Sequence, residues 1–275
     1  MSAEAGAAAD LRARSEFARR AATIAVGLPI FLILLRAGGL PWTVLLGALA
    51  LGGAWEWVHL SRAAGYLPAP AVVLGGTAVI FAALARRPDL AGPAVIAVAA
   101  AALLVQLLPS YRRLALANAG ATVLGALYAS LFVSLDLLRA SATGYAYTLL
   151  VVAAVWVSDS AAMLSGRAFG RHKLAPAISP GKTWEGAVGG LLGAILGGLL
   201  IGWPLGLPLG VVLIAAMVVA VSGLGGDLAE SALKRSAGLK DTGTLLPGHG
   251  GILDRFDAML FAAPAVYALL RWVIP

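Results

Sequence analysis

The chain has 275 residues, 60% of them hydrophobic and only 12% charged, and a mean hydropathy of +0.91. Soluble domains carry about twice that charge fraction, which excludes a water-soluble globule. The net charge of +7 would suit a nucleic-acid binder in a soluble protein; here the placement of the charges matters more than their sum, and no nucleic-acid partner is expected.

Residues 1–20, "MSAEAGAAADLRARSEFARR", have no small-residue cleavage site ahead of the first apolar run and read as a retained cytoplasmic lead-in. Apolar runs follow near 21–36, 41–60, 69–85, 91–109, 115–138, 145–164, 184–204, 207–228 and 258–274, divided by punctuation such as "RAGGLP", "RRPDLAGP" and "PSYRR". Runs near this length cross a ~30 Å hydrocarbon core as helices. They are continuous rather than alternating, which favours helices over a closed barrel. The expected fold is an all-α, polytopic integral membrane protein with about nine transmembrane helices. The eighth run is expected to continue as a helix past the membrane through "GDLAESALKRSAG".

With the N-terminus cytoplasmic, fifteen of the twenty Lys and Arg residues fall inside and five outside: Arg36, Arg86, Arg87, Arg139 and Arg271. The bias favours that orientation, with Arg86–Arg87 a local exception. Residues 21–144 form the N-terminal transmembrane helices on this reading. Residues 145–275 form a catalytic transmembrane region with cytoplasmic loops 165–183 and 229–257. The seventh run carries Gly189, Gly193 and Gly197 at four-residue spacing, a track for close helix packing. Such faces leave a homodimer open and serve packing within one chain equally well.

Charge inside a bilayer is costly, so its placement is informative. Glu56, Asp159, Glu185 and Asp227 fall in or at the ends of the runs. Asp227, Ser231 and Lys234 share one helical face, with Glu230 a turn from Asp227. Asp254 and Asp257, three apart, stack on one side of a helix. Each has a structural explanation. Asp254 could be an N-cap with Asp257 in the first turn. Asp227 and Lys234 could neutralise one another, His249 could be a loop residue, and Glu56, between Trp55 and Trp57, reads best as an interfacial anchor.

The combination points further. Asp227, Asp254 and Asp257 offer hard oxygens suited to Mg²⁺ at one cytoplasmic end. Lys234, Arg235, Lys240 and Arg255 are cations suited to phosphate, and "PGHGG" lets backbone approach a ligand. Acidic, basic and glycine-rich elements beside a membrane describe metal-assisted chemistry on a phosphorylated substrate. No P-loop is present. The absence of cysteine removes disulfides, thiolate metal sites and cysteine nucleophiles.

The stretch "SALKRSAGLKDTGTLLPGHGGILDRFD", Ser231 to Asp257, resembles the signature of the phosphatidate cytidylyltransferases (CDP-diacylglycerol synthases) across all twenty-seven residues. The upstream "SDSAAMLSGRAFGRHKLAPAISPGKTWEG" is similar to that family's second cytoplasmic motif, with Ser179, Pro180, Lys182, Thr183, Glu185 and Gly186 in place. The resemblance covers the last 120 or so residues; over the first half it is hydropathy alone.

It implies condensation of CTP with phosphatidic acid to CDP-diacylglycerol and pyrophosphate, on the cytoplasmic side of a cell membrane, most readily a bacterial inner membrane. Asp227, Asp254 and Asp257 would hold Mg²⁺, with room for a second cation, and Lys240 and Asp241 would join the catalytic group. Ser179, Lys182, Thr183, Lys234, Arg235, His249 and Arg255 would bind substrate. The phosphate nucleophile is already ionised near neutrality (second pKa about 6), so His249 is expected to position rather than act as a base. An ion-coupled transporter would spread its acids along a path and repeat its halves, and neither pattern is present. A scaffold would not need so dense a polar signature. A phosphotransferase using an activated CDP-lipid would show "DGxxAR…GxxxD…D", which is missing.

Overall fold

The computed structural model describes residues 25–243, 245 and 250–273. Each of the nine apolar runs is helical within these bounds. The first is α1 (Ala25–Ala37). There follow α2 (Gly39–Ala63), α3 (Pro70–Arg86), α4 (Ala91–Val105), α5 (Ala115–Ser130), α6 (Val133–Arg139), α7 (Gly144–Phe169), α8 (Trp184–Gly202), α9 (Leu209–Ser236) and α10 (Leu253–Val273). The helix of the eighth run continues without a break to Ser236, at the C-terminal end of α9. The lead-in 1–20 and His249 lie outside the described residues.

Among the described residues, six helical segments are long and apolar enough to cross a membrane: Gly39–Ala63, Pro88–Val105, Ala115–Arg139, Gly144–Phe169, Trp184–Gly202 and Leu209–Ser236. Their outer faces carry rows of exposed apolar side chains, such as Val188, Leu192, Leu196 and Leu200 on α8 and Leu103, Leu104 and Leu107 at the end of α4. In water such rows would drive association; in a bilayer they face lipid. The chain is a multi-pass membrane protein.

The expected single helix over 115–138 is broken. At Leu131 and Phe132 the amides turn back to Tyr128 and Ala129, three residues earlier, and Ser130 and Ser134 bond to main-chain carbonyls. Local side-chain acceptors and donors of this kind compete with the helical ladder and bend it. The chain also departs from an all-helical design in a small antiparallel hairpin, β1 (Lys173–Ala175) and β2 (Ser179–Thr183). Between α1 and α2 the chain turns at Gly38, whose φ of 64° suits glycine. Arg139 fills the space where a Cβ would stand, donating to the carbonyls of Leu35 and Arg36 that end α1.

Helices α2, α3, α4 and α5 pack as one group and α7, α8, α9 and α10 as another, with α6 touching both. A single core joins the groups, including Trp42, Phe132, Leu150 and Leu253. The closest pairing is α7 with α8. A Cβ at Gly193 would meet Ala161 Cβ at 2.5 Å, and one at Gly197 would meet the Ala153 carbonyl at 2.8 Å. The glycine track of α8 is therefore engaged against α7 of the same chain.

Candidate active site

The loop after α7 is folded back on the start of α8. Trp184 N donates to the His172 carbonyl, and Glu185 accepts from Arg171 N and lies 2.6 Å from His172 Nδ1. Thr183 caps α8 by accepting from Gly186 N. This places Ser179, Lys182 and Thr183 on β2 beside the C-terminal half of α9. Lys182 Nζ lies 2.5 Å from Asp227 Oδ2, and the Arg235 guanidinium donates to the Ile178 carbonyl in the hairpin turn. The two segments singled out from the sequence meet here.

Helices α9 and α10 approach closely at Gly226, where a Cβ would meet the Asp257 carbonyl at 2.6 Å. That approach sets Asp227 and Asp257 on facing helices within electrostatic reach of each other. Asp227 is about one-third exposed and also accepts from Ser231. Its cationic partner is Lys182, not Lys234 as a pairing along α9 would have had it.

Lys234 turns to two other carboxylates, Asp254 Oδ1 at 2.8 Å and Glu230 Oε1 at 3.3 Å. Glu230, fully buried, also accepts from Tyr128 OH of α5. The second oxygen of Asp254 accepts from the amides of Gly251 and Thr242 and lies 3.0 Å from the Thr242 hydroxyl. Asp254 lies in the first turn of α10, so it is not the residue before the helix that an N-cap requires. The leading amides, Ile252 N and Leu253 N, are instead accepted by Glu56 of α2, which is 2% exposed. The interfacial-anchor reading of Glu56 is corrected by this burial. Its neighbour Trp55 is the exposed residue.

Part of this arrangement lines a cavity of about 510 Å³, a size suited to a small-molecule ligand. Asp159, Ser179, Lys182, Thr183, Asp227, Asp254 and Asp257 line it together with apolar side chains such as Val155, Met163, Val219 and Ala220. Lys234 and Arg235 are outside this lining and donate to protein acceptors, Lys234 half-buried and Arg235 exposed. Lys240, Asp241 and Arg255 are on the exposed surface of their segments. Asp159 is the lining carboxylate that motif matching left without a role, although its position within an apolar helix already marked it.

The donor set bears on a metal. Among the described residues, no three His, Asp or Glu side chains converge closely enough to hold an ion alone. Asp227 and Asp257 still suit Mg²⁺, which commonly takes one or two carboxylates and completes its shell with water and substrate phosphates. Asp254 differs from them, because Lys234, Thr242 and Gly251 already use both its oxygens.

A polytopic helical membrane protein with acids and bases gathered at one end of its helices, around a cavity with both polar and apolar lining, defines a class: a membrane enzyme. The chain belongs to the cytidylyltransferase family, whose model matches residues 18–273. It is 43% identical over 249 residues to the phosphatidate cytidylyltransferase of Pseudomonas aeruginosa, covering 84% of this chain and 88% of that protein. The phosphatidate cytidylyltransferase of Staphylococcus saprophyticus is 42% identical over 129 residues, 46% of this chain and half of that protein. That of Haemophilus influenzae is 43% identical over 123 residues, 42% of each chain. The chain is a nucleotidyltransferase by this membership.

Proposed function

We propose that the protein condenses CTP with phosphatidic acid, giving CDP-diacylglycerol and pyrophosphate, at the cytoplasmic face of a cell membrane. The observation that carries this reading is the cavity itself. Lys182 and Asp227, from two separate motifs, meet in its lining, which also includes apolar side chains of α7 and α9 and small residues of α8 and α10. A water-soluble nucleotide and a lipid phosphate can both reach such a place. The orientation follows from the Lys and Arg bias, which puts the hairpin and the signature inside, with nine spans.

In this reaction a phosphate oxygen of the lipid attacks the α-phosphorus of CTP and pyrophosphate leaves. Both reactants are anions, so the protein's task is positioning and charge stabilisation. Lys182 would meet phosphate oxygens in the cavity when Asp227 turns to the metal. Asp227 and Asp257 would hold Mg²⁺, and Asp254 would fix Lys234 and the Thr242 backbone behind them. An ion held there would supply positive charge against the negative charge that gathers on pyrophosphate as it leaves. Ser179 and the Thr183 segment would border the bound nucleotide, and Asp159 would repel misplaced anions from the apolar part of the lining.

The test is transfer of label from CTP to phosphatidic acid by purified protein, with and without Mg²⁺, against a parallel reaction with CDP-diacylglycerol as donor. Mg²⁺-dependent labelled CDP-diacylglycerol is expected. Label transfer only from the CDP-lipid would overturn the reading.

A further inference from the structure

Glu56 comes from the N-terminal half, where the sequence carries no motif, yet it ends inside the C-terminal signature. Its Oε1 accepts from Ile252 N at 2.8 Å, and its Oε2 accepts from Leu253 N at 2.9 Å and lies 3.2 Å from the Thr242 hydroxyl. The first amides of a helix have no partner within the helix, and a neighbouring residue normally supplies the acceptor. Here a carboxylate from α2 does so. Both ends of the signature loop give way to it. A Cβ at Gly243 would stand 2.8 Å from Glu56 Oε1, and one at Gly251 would stand 2.5 Å from Oε2.

The consequence reaches the cavity through short links. Thr242 lies between Glu56 and Asp254, with its single hydroxyl proton near a carboxylate oxygen of each. Asp254 then holds Lys234, and Asp257 follows one turn along α10. A carboxylate taken fully out of water is destabilising unless its oxygens are satisfied. Three donors from the signature satisfy this one, so the position of the α10 start and the burial of Glu56 depend on each other.

We propose that Glu56 is a positioning residue for nucleotidyl transfer, holding the first turn of α10 so that Asp254 and Asp257 face the cavity. The inference rests on the cytidylyltransferase reading. Glu56 touches neither the cavity lining nor a reacting atom; it acts through the Ile252 and Leu253 amides and through Thr242.

The test uses the full-length purified protein and E56Q, which keeps the side chain's shape. One end of the amide is a donor, so one of the two α10 amides loses its acceptor. Hydrogen exchange across 250–257 is expected to quicken about tenfold in E56Q while α7 and α8 keep wild-type protection. Turnover at saturating CTP and phosphatidic acid is expected to fall about tenfold, with KM for CTP held within about threefold. Unchanged exchange across 250–257 overturns the proposal. So does a loss of activity that merely tracks lost protection in α7 and α8, because that is global unfolding. If E56Q does not fold, T242A removes only the hydroxyl between Glu56 and Asp254 and must move exchange in the same direction; no change there overturns the proposal equally. Exchange decides the clamp even if the wild type transfers no label from CTP, an outcome that would instead remove the functional reading.

Discussion

Lys182 on β2 and Asp227 on α9 form an ion pair of 2.5 Å that joins two motifs separated by a whole transmembrane helix. Both side chains keep partial exposure, 21% and 34%. A pair so wetted contributes only about 0–1 kcal/mol to stability. On the proposed function its value is in holding two groups of opposite charge together in the cavity lining, where each could be released to a ligand.

Lys182→Ala is therefore expected to leave the protein folded and to raise the apparent KM for CTP, phosphatidic acid or both by about tenfold, the worth of one charge-assisted contact. Steady-state kinetics in mixed micelles measure it. Both KM values unchanged would take the hairpin out of the site.

Asp227→Asn and Asp254→Asn separate on stability. Asp254 sits at 6% exposure against Lys234 at 12%, and breaking a buried pair on one side costs about 3–5 kcal/mol. A large drop in thermal midpoint is expected for Asp254→Asn. Asp227→Asn should keep a midpoint near wild type while Mg²⁺-dependent turnover is lost. Equal midpoints for the two variants would contradict the buried pair, and wild-type turnover by Asp227→Asn would contradict its metal role.

Tyr128→Phe deletes the hydroxyl that donates to buried Glu230 and leaves the ring against Trp57 and Phe261. Loss of one partner to a buried carboxylate is expected to destabilise by about 1–3 kcal/mol. Denaturation in detergent reads this directly, and no change would mean that the hydroxyl contributes nothing to holding Glu230.

Gly193→Ala forces a methyl against Ala161 and the Val157 carbonyl in the α7–α8 seam, at an expected cost of about 1–3 kcal/mol. Gly75→Ala in α3, where a Cβ would meet nothing within 4 Å, should lose no stability. Thermal midpoints of the two variants, side by side, test whether the glycine track packs within the chain.

Continuous apolar runs were enough to find the helices, because a lipid-facing segment needs length and apolarity more than any particular residue. Ionisable residues in or beside those runs, such as Asp227 and Asp257, pointed to the cavity for the same reason. The hairpin was not legible: strands of three and five residues containing Pro180 and Gly181 have no room for an alternating pattern. The break at Leu131 was hidden by uniform hydrophobicity. Glu56 was misread because its partners are main-chain amides 196 and 197 positions away, which carry no side-chain signature. The pairing of Lys234 with Asp254, twenty positions away across the signature loop, has no spacing pattern to announce it.

The distance in sequence between Glu56 and Ile252 has a meaning for biosynthesis. Glu56 leaves the ribosome long before α10, and chains are built and folded from the N-terminal side. The acceptor for α10 is thus in the bilayer first, and the signature loop closes only when α10 arrives beside α2. Until then the Lys182 hairpin and Asp227 can stand together without the aspartates of α10. On the proposed assignment of Asp257, the reaction centre is complete only once α10 is in place.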